Sequence, residues 1–177
     1  MSAFLVLKLP SFLAILVAAA VWDARRNVIP NRVTSTALVL GMAFGLSQGA
    51  FLAALAGAGL GLLVTWPLFA LGAIGGGDGK LLMGIGAFLG PVGLLSAAIY
   101  AGLAGGLMAL AAAARKGKIL PLLKRMWNLV VFLLTFGRHG ENSSKGNPES
   151  VTIPYGLALA AGAVAAWFLP ILEAGPP

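Results

Sequence analysis

The sequence predicts an all-α integral membrane protein: one domain, a bundle of about six transmembrane helices, with a pair of aspartates facing the cytoplasm. Three observations lead there. Of the 177 residues, 59% are hydrophobic and only 10% charged, with a mean hydropathy of +0.96, far from the usage of soluble domains. The charges gather in short clusters, and residues 33–77 and 81–114 carry none. Those runs are continuous in Leu, Ala and Gly. A bilayer admits only helices or closed barrels, and barrel strands would alternate apolar with polar residues.

The same composition excludes several functions. The net charge is +7, but every Lys and Arg except Lys8 lies in or beside a connection between apolar runs. Positive-inside bias accounts for that placement, and no basic stripe interleaved with aromatics points to nucleic acid. The chain has no Cys and one His, His139, in a polar stretch. Thiolate metal sites and disulfides are excluded, and neither a metal nor another cofactor is expected.

The first span is expected at 4–22. Lys8 falls within it, near the outer end, where its stem can carry the ammonium to the interface. Ala18-Ala19-Ala20 would suit a signal-peptide cleavage site, but the start is poorly basic and further spans follow. Asp23 to Arg32 reads as a loop with three arginines, hence cytoplasmic. The uncharged run that follows exceeds the roughly 20 residues of one crossing. Ser47-Gln48-Gly49 divides it into spans at 33–48 and 51–73. Two crossings return the chain to the side of Asp23, and there stands Gly75-Gly76-Gly77-Asp78-Gly79-Lys80.

Gly90-Pro91 interrupts the next run, since proline breaks or kinks a helix. Two crossings, 79–90 and 92–114, keep Arg115, Lys116 and Lys118 cytoplasmic. The first is only about 18 Å long as helix, sufficient if Asp78 is recessed in a water-filled cavity. Residues 115–152 are expected as a cytoplasmic loop with an interfacial segment, because Lys124 and Arg125 split 119–136. The last span is 153–172, with Pro154 in its first turn. Spacings such as Gly41/Gly45, Gly57/Gly61, Gly86/Gly90 and Gly102/Gly106 predict close helix contacts.

Asp23 and Asp78 are the only aspartates, and the parity of crossings puts both on one face. A carboxylate at a membrane boundary is costly and points to function, although Asp78 could merely cap the following helix. Two carboxylates converging in a poorly hydrated site do not both ionise easily, so one serves as base while the other keeps its proton. Such a pair activates water against an amide without a metal or covalent intermediate. Glycines beside Asp78 would let a peptide backbone approach. Lys80 either places positive charge near the pair or anchors the chain at the cytoplasmic surface.

Gly75-Gly76-Gly77-Asp78-Gly79-Lys80 resembles the Gly-x-Gly-Asp-x-Lys signature of the type IV prepilin peptidases. Asp23 followed by Ile29-Pro30-Asn31 is similar to that family's first aspartate motif. Ile153-Pro154-Tyr155-Gly156-Leu157-Ala158 is similar to its C-terminal motif in the tight-adherence (Flp) pilus branch. The resemblance implies an inner-membrane aspartic endopeptidase that removes the basic leader of pilin precursors at the cytoplasmic face. It implies Asp23 and Asp78 as the catalytic pair. Gly75, Gly77, Lys80, Pro30, Asn31, Pro154 and Gly156 would support the motifs or bind substrate. Larger members carry a methylating domain, often with a four-cysteine zinc site; this chain has no cysteine, and methylation of the product is not expected. The implied partners are pilin precursors and the lipid bilayer, with no nucleic acid, and the oligomeric state is left open.

Two other classes compete. A non-enzymatic component of a pilus or secretion assembly has no need for the two aspartates to meet. An ion or proton carrier would place an acid near the midplane of a span, whereas both aspartates stand at span ends.

Overall fold

The computed structural model describes residues 3–70, 74–115, 117, 119–120, 124, 127, 131 and 155–172. Among them there are five helices and no strand: α1 (Ala3–Arg26), α2 (Asn31–Ser47), α3 (Phe51–Ala70), α4 (Gly76–Arg115) and α5 (Tyr155–Phe168). Contacts divide the chain into two units, Met1–Gly105 with Pro154–Pro177, and Gly106–Ile153. In the second unit the described residues comprise the end of α4, a turn at Gly117 (φ 64°) and helical positions 119–120, 124, 127 and 131. The rest of the interfacial segment expected at 119–136 lies outside the described residues, as does Pro154.

Helices α1, α3 and α4 are long and apolar enough to cross a membrane, and α5 is a shorter apolar helix. The protein is a multi-pass membrane protein. Its large apolar side chains divide accordingly. On α1, Phe12, Ile15, Leu16, Ala19 and Asp23 are buried at helical spacing, while Val17, Val21 and Trp22 are exposed. A soluble helix would leave its outer face polar; here lipid is the better solvent for it.

The first unit can be read as a register. Along α3 and the first arm of α4, Thr65 meets Gly79, Gly61 meets Met83, Gly57 meets Gly86 and Ala53 meets Gly90, so the two run antiparallel. A Cβ on Gly57 would overlap the carbonyl oxygen of Gly86, which is the backbone-to-backbone approach that small residues permit. Helix α2 runs parallel to this arm, with Ala37 against Gly84 and Gly41 against Ala87. At Gly90 the backbone turns out of the helix, with φ 72° and ψ −179°, a combination open essentially to glycine alone. Pro91 follows, and the second arm runs the other way along α5. Ser96 Oγ accepts from the Leu172 amide, Tyr100 donates to the Leu169 carbonyl, and Gly105 lies against Tyr155 and Ala158. Helix α5 is antiparallel to α1, since Asp23 meets Gly156 and Phe12 stacks on Trp167.

Two boundaries differ from the sequence expectation. Asp23, Arg25 and Arg26 belong to the last turn of α1, not to a loop. Nothing in Ala24-Arg25-Arg26 interrupts a helix, and arginines suit the negative end of the helix dipole. The chain leaves the helix only at Asn27, whose φ of 51° is left-handed and whose amide donates to the Asp23 carbonyl at 2.8 Å. Helix α4 begins at Gly76, so two of the three glycines and Asp78 are helical. Asp78 is not the N-cap residue. It stands in the first turn, and its Oδ2 reaches back to the Gly75 amide at 3.2 Å, the acidic half of a capping box. Of the glycine spacings, Gly41, Gly45, Gly57 and Gly61 are packed, whereas Gly102 and Gly106 have nothing within 4 Å.

Lys8 lies on the inward stripe of α1, one turn above Phe12, with its Nζ 5.7 Å from the Trp167 ring centroid. Indole provides a good face for a cation. At this end a cavity of about 410 Å³ opens among Lys8, Phe88, Val92, Trp167, Pro170 and Leu172.

Candidate active site

Four segments converge at the opposite end of the bundle: the last turn of α1, the connection 27–30, the first turn of α4 and the first turn of α5. Asp23 is brought in by the inward stripe of α1 and is only 5% exposed. Its Oδ2 accepts a hydrogen bond of 2.6 Å from the Gly156 amide. That amide belongs to the first turn of α5, where backbone donors have no partner inside the helix and the dipole favours an anion. The position is crowded, and a side chain there would displace its neighbours. A Cβ on Gly156 would lie 2.9 Å from Asp23 Oδ2 and 2.9 Å from Ile29 Cδ1.

Asp78 is half-buried in the first turn of α4 and within electrostatic reach of Asp23. The Gly75 amide fixes its Oδ2. A Cβ on Gly77 would come within 3.2 Å of Ile29 Cβ, so the Gly77 backbone lies directly on the 27–30 connection. Pro30, with φ −62° and ψ 141°, stands at the N-cap of α2, and its carbonyl accepts from Val33 and Thr34. Asn31 opens α2 and accepts a 2.9 Å hydrogen bond from Lys80 Nζ through its Oδ1. This exposed bond ties the first turn of α4 to that of α2.

Of the residues expected at the site, Asp23, Asp78, Gly75, Gly77, Lys80, Pro30, Asn31 and Gly156 come together at this end; Pro154 lies outside the described residues. Ile29 is the residue whose part the sequence did not single out. It is 4% exposed and lies against both glycines, and its place in the Ile29-Pro30-Asn31 match gives no sign of that contact. The cavity beside Lys8 stands at the other end of the bundle and contains no carboxylate among the described residues.

Two carboxylates, each held through one oxygen by a backbone amide and brought to one end of the bundle on either side of Ile29, form the kit for acid–base activation of a water. Among the described residues no cluster could hold a metal ion. Searches of curated proteins and of solved structures return no match. Residues 11–110 match the sequence profile of the Type IV leader peptidase family. The match takes in both aspartates, Pro30, Asn31 and the whole Gly75–Lys80 turn; Gly156 lies beyond it. With more than half of its length matched, the chain belongs to the type IV leader peptidase family and is an aspartic endopeptidase of the kind that cleaves prepilin leaders.

Proposed function

We propose that Asp23 and Asp78 are the catalytic pair, and that the protein removes the leader of Flp-like type IV prepilins at the cytoplasmic face of a bacterial inner membrane. The observation that carries this is the convergence of the chain's two aspartates, from helices α1 and α4, at one end of the bundle. The ionised carboxylate takes a proton from a bound water, whose oxygen attacks the carbonyl carbon of the scissile amide. The protonated partner then donates to the amide nitrogen as the C–N bond breaks, and the pair ends with its one proton exchanged between the two carboxyls. Lys80 and Asn31 support the turn beside Asp78, and Gly75, Gly77 and Gly156 leave room around the pair. The precursor's apolar helix packs on the bundle, while its basic leader, repelled by Arg25, Arg26 and Arg32, stays at the membrane surface.

We further read the bundle as six crossings in one domain. The antiparallel arms of α4 supply the fourth and fifth, and 115–152 forms the cytoplasmic connection. The basic residues beside Asp23, Asp78 and the end of α4 support this orientation.

The test is co-expression of Asp23→Asn or Asp78→Asn with a tagged precursor, reading the precursor-to-mature ratio at matched protein level. Each variant is expected to lose at least about a thousandfold in activity, and the double variant little more, as for residues acting as one unit. Normal processing by Asp78→Asn ends this reading. A scaffold would assemble equally well with either variant.

A further inference from the structure

The geometry points to Ile29 as a positioning residue that gauges the separation of the two aspartates, acting as a wedge between the motif glycines on either side of it. The inference rests on the reading of Asp23 and Asp78 as the catalytic pair. Ile29 presents two surfaces to two different motifs. Its Cβ and backbone lie against Gly77, the residue before Asp78, at 3.2–3.5 Å from where a Cβ would stand. Its Cδ1 lies 2.9 Å from the corresponding point on Gly156, whose amide holds Asp23 Oδ2. One side chain thus spans from the backbone that carries one carboxylate to the backbone that holds the other.

The wedge is itself fixed. Asn27, in its left-handed conformation, caps α1 through the Asp23 carbonyl, and Pro30 begins α2 with the φ its ring dictates. Only Val28 and Ile29 lie between. Val28 is exposed and Ile29 buried, so the connection has one inward side chain and no slack to replace it. A Cβ at either glycine would press on the wedge: at 156 it meets Ile29 Cδ1 and Asp23 Oδ2 together, and at 77 it comes within 3.2 Å of Ile29 Cβ. A small change in the width of this side chain moves the carboxylates relative to each other. Misplacing a reacting group by about 1 Å costs on the order of a hundredfold in rate.

The experiment measures kcat and KM of the full-length enzyme in lipid nanodiscs with a prepilin peptide, together with thermal stability. Ile29→Val is compared with Ile85→Val, which deletes the same methyl group from a core position on α4 that is 1% exposed. Ile29→Val is expected to lower kcat about tenfold with KM within twofold, whereas Ile85→Val leaves kcat unchanged at a similar loss of stability. Gly156→Ala is expected to be nearly inactive, and adding Ile29→Val to it should recover at least about threefold in kcat, because removing Cδ1 gives the new Cβ room. Equal kcat effects of the two valine variants, or losses at 29 and 156 that simply multiply, overturn the wedge. Asp78→Asn in the same assay separates the two levels: an active Asp78→Asn refutes the catalytic pair, while an inactive one beside an unaffected Ile29→Val refutes the wedge alone.

Discussion

Asp23 depends on a donor 133 positions away in sequence, the Gly156 amide, whereas Asp78 is held by its own helix start, through Gly75. The two carboxylates therefore respond differently to change. Extending Asp78 by a methylene moves its carboxyl away from the place the short side chain gives it, and extending Asp23 drives a buried carboxylate into Ile29 and α5. Asp23→Glu and Asp78→Glu are both expected to cut cleavage by at least about a hundredfold, because the reacting group leaves its geometry; single-turnover cleavage of a precursor peptide checks this. The Lys80–Asn31 bond is exposed, and exposed polar pairs contribute about 1 kcal/mol or less. Asn31→Ala is accordingly expected to reduce turnover less than tenfold. The sequence pointed to Asp23, Asp78 and Lys80 because rare charged residues stand out in an apolar chain, and to Asn31 through the motif resemblance. Ile29 stood out only as part of the Ile29-Pro30-Asn31 match, because a buried isoleucine differs from an exposed apolar neighbour such as Val28 in the direction the backbone gives it.

At the level of elements, the bundle is assembled where backbones touch and loosely where they do not. Helices α3 and α4 meet at Gly57 and Gly86 without room for a methyl group. Gly57→Leu is expected to destabilise the protein by about 3 kcal/mol or more, as overpacking against rigid backbone does. Gly102 faces open space, and Gly102→Leu is expected to shift stability by less than about 1 kcal/mol. Unfolding midpoints in a detergent-denaturant series give the comparison. The identical Gly-x-x-x-Gly spacings made these positions look alike, since spacing reports a helix face but not its neighbour. The Gly90-Pro91 break was legible because both residues disrupt helices by local sterics. The end of α1 was not: charge suggested a loop, while the local backbone signal, Asn27, lay four residues further on.

Across the whole molecule, all described segments of the first unit run between two ends, with the aspartates at one and Lys8 at the other. The proposed six crossings place both termini on the Lys8 side. Reporter fusions after Gly49, Lys80, Lys118 and Lys145 are expected to read outside, inside, inside and inside; an outside signal at Lys118 would overturn the two-arm reading of α4. Substrate recognition belongs to this scale as well. Truncating the apolar helix of a precursor peptide is expected to weaken cleavage far more than neutralising one leader lysine, because the arginines around Asp23 repel a basic leader while the apolar faces welcome a helix. The opposite ranking would refute docking through the helix.

Between the two ends lies a layer made of Phe12, Leu16, Phe44, Ile85 and Phe88, all buried, with the rings of Phe12 and Phe44 each in tilted contact with Phe88. Hydrolysis needs water at the aspartates, and a hydrated acid pair in an energised membrane is half of a proton wire. The aromatic layer ends the wire there. Hydrogen-bonded water would find no partners among these side chains, so under the proposed mechanism protons that reach Asp23 and Asp78 would return by the side they entered. In the inner membrane proposed above, such a layer would let the enzyme stay open to its substrate without discharging the electrochemical gradient.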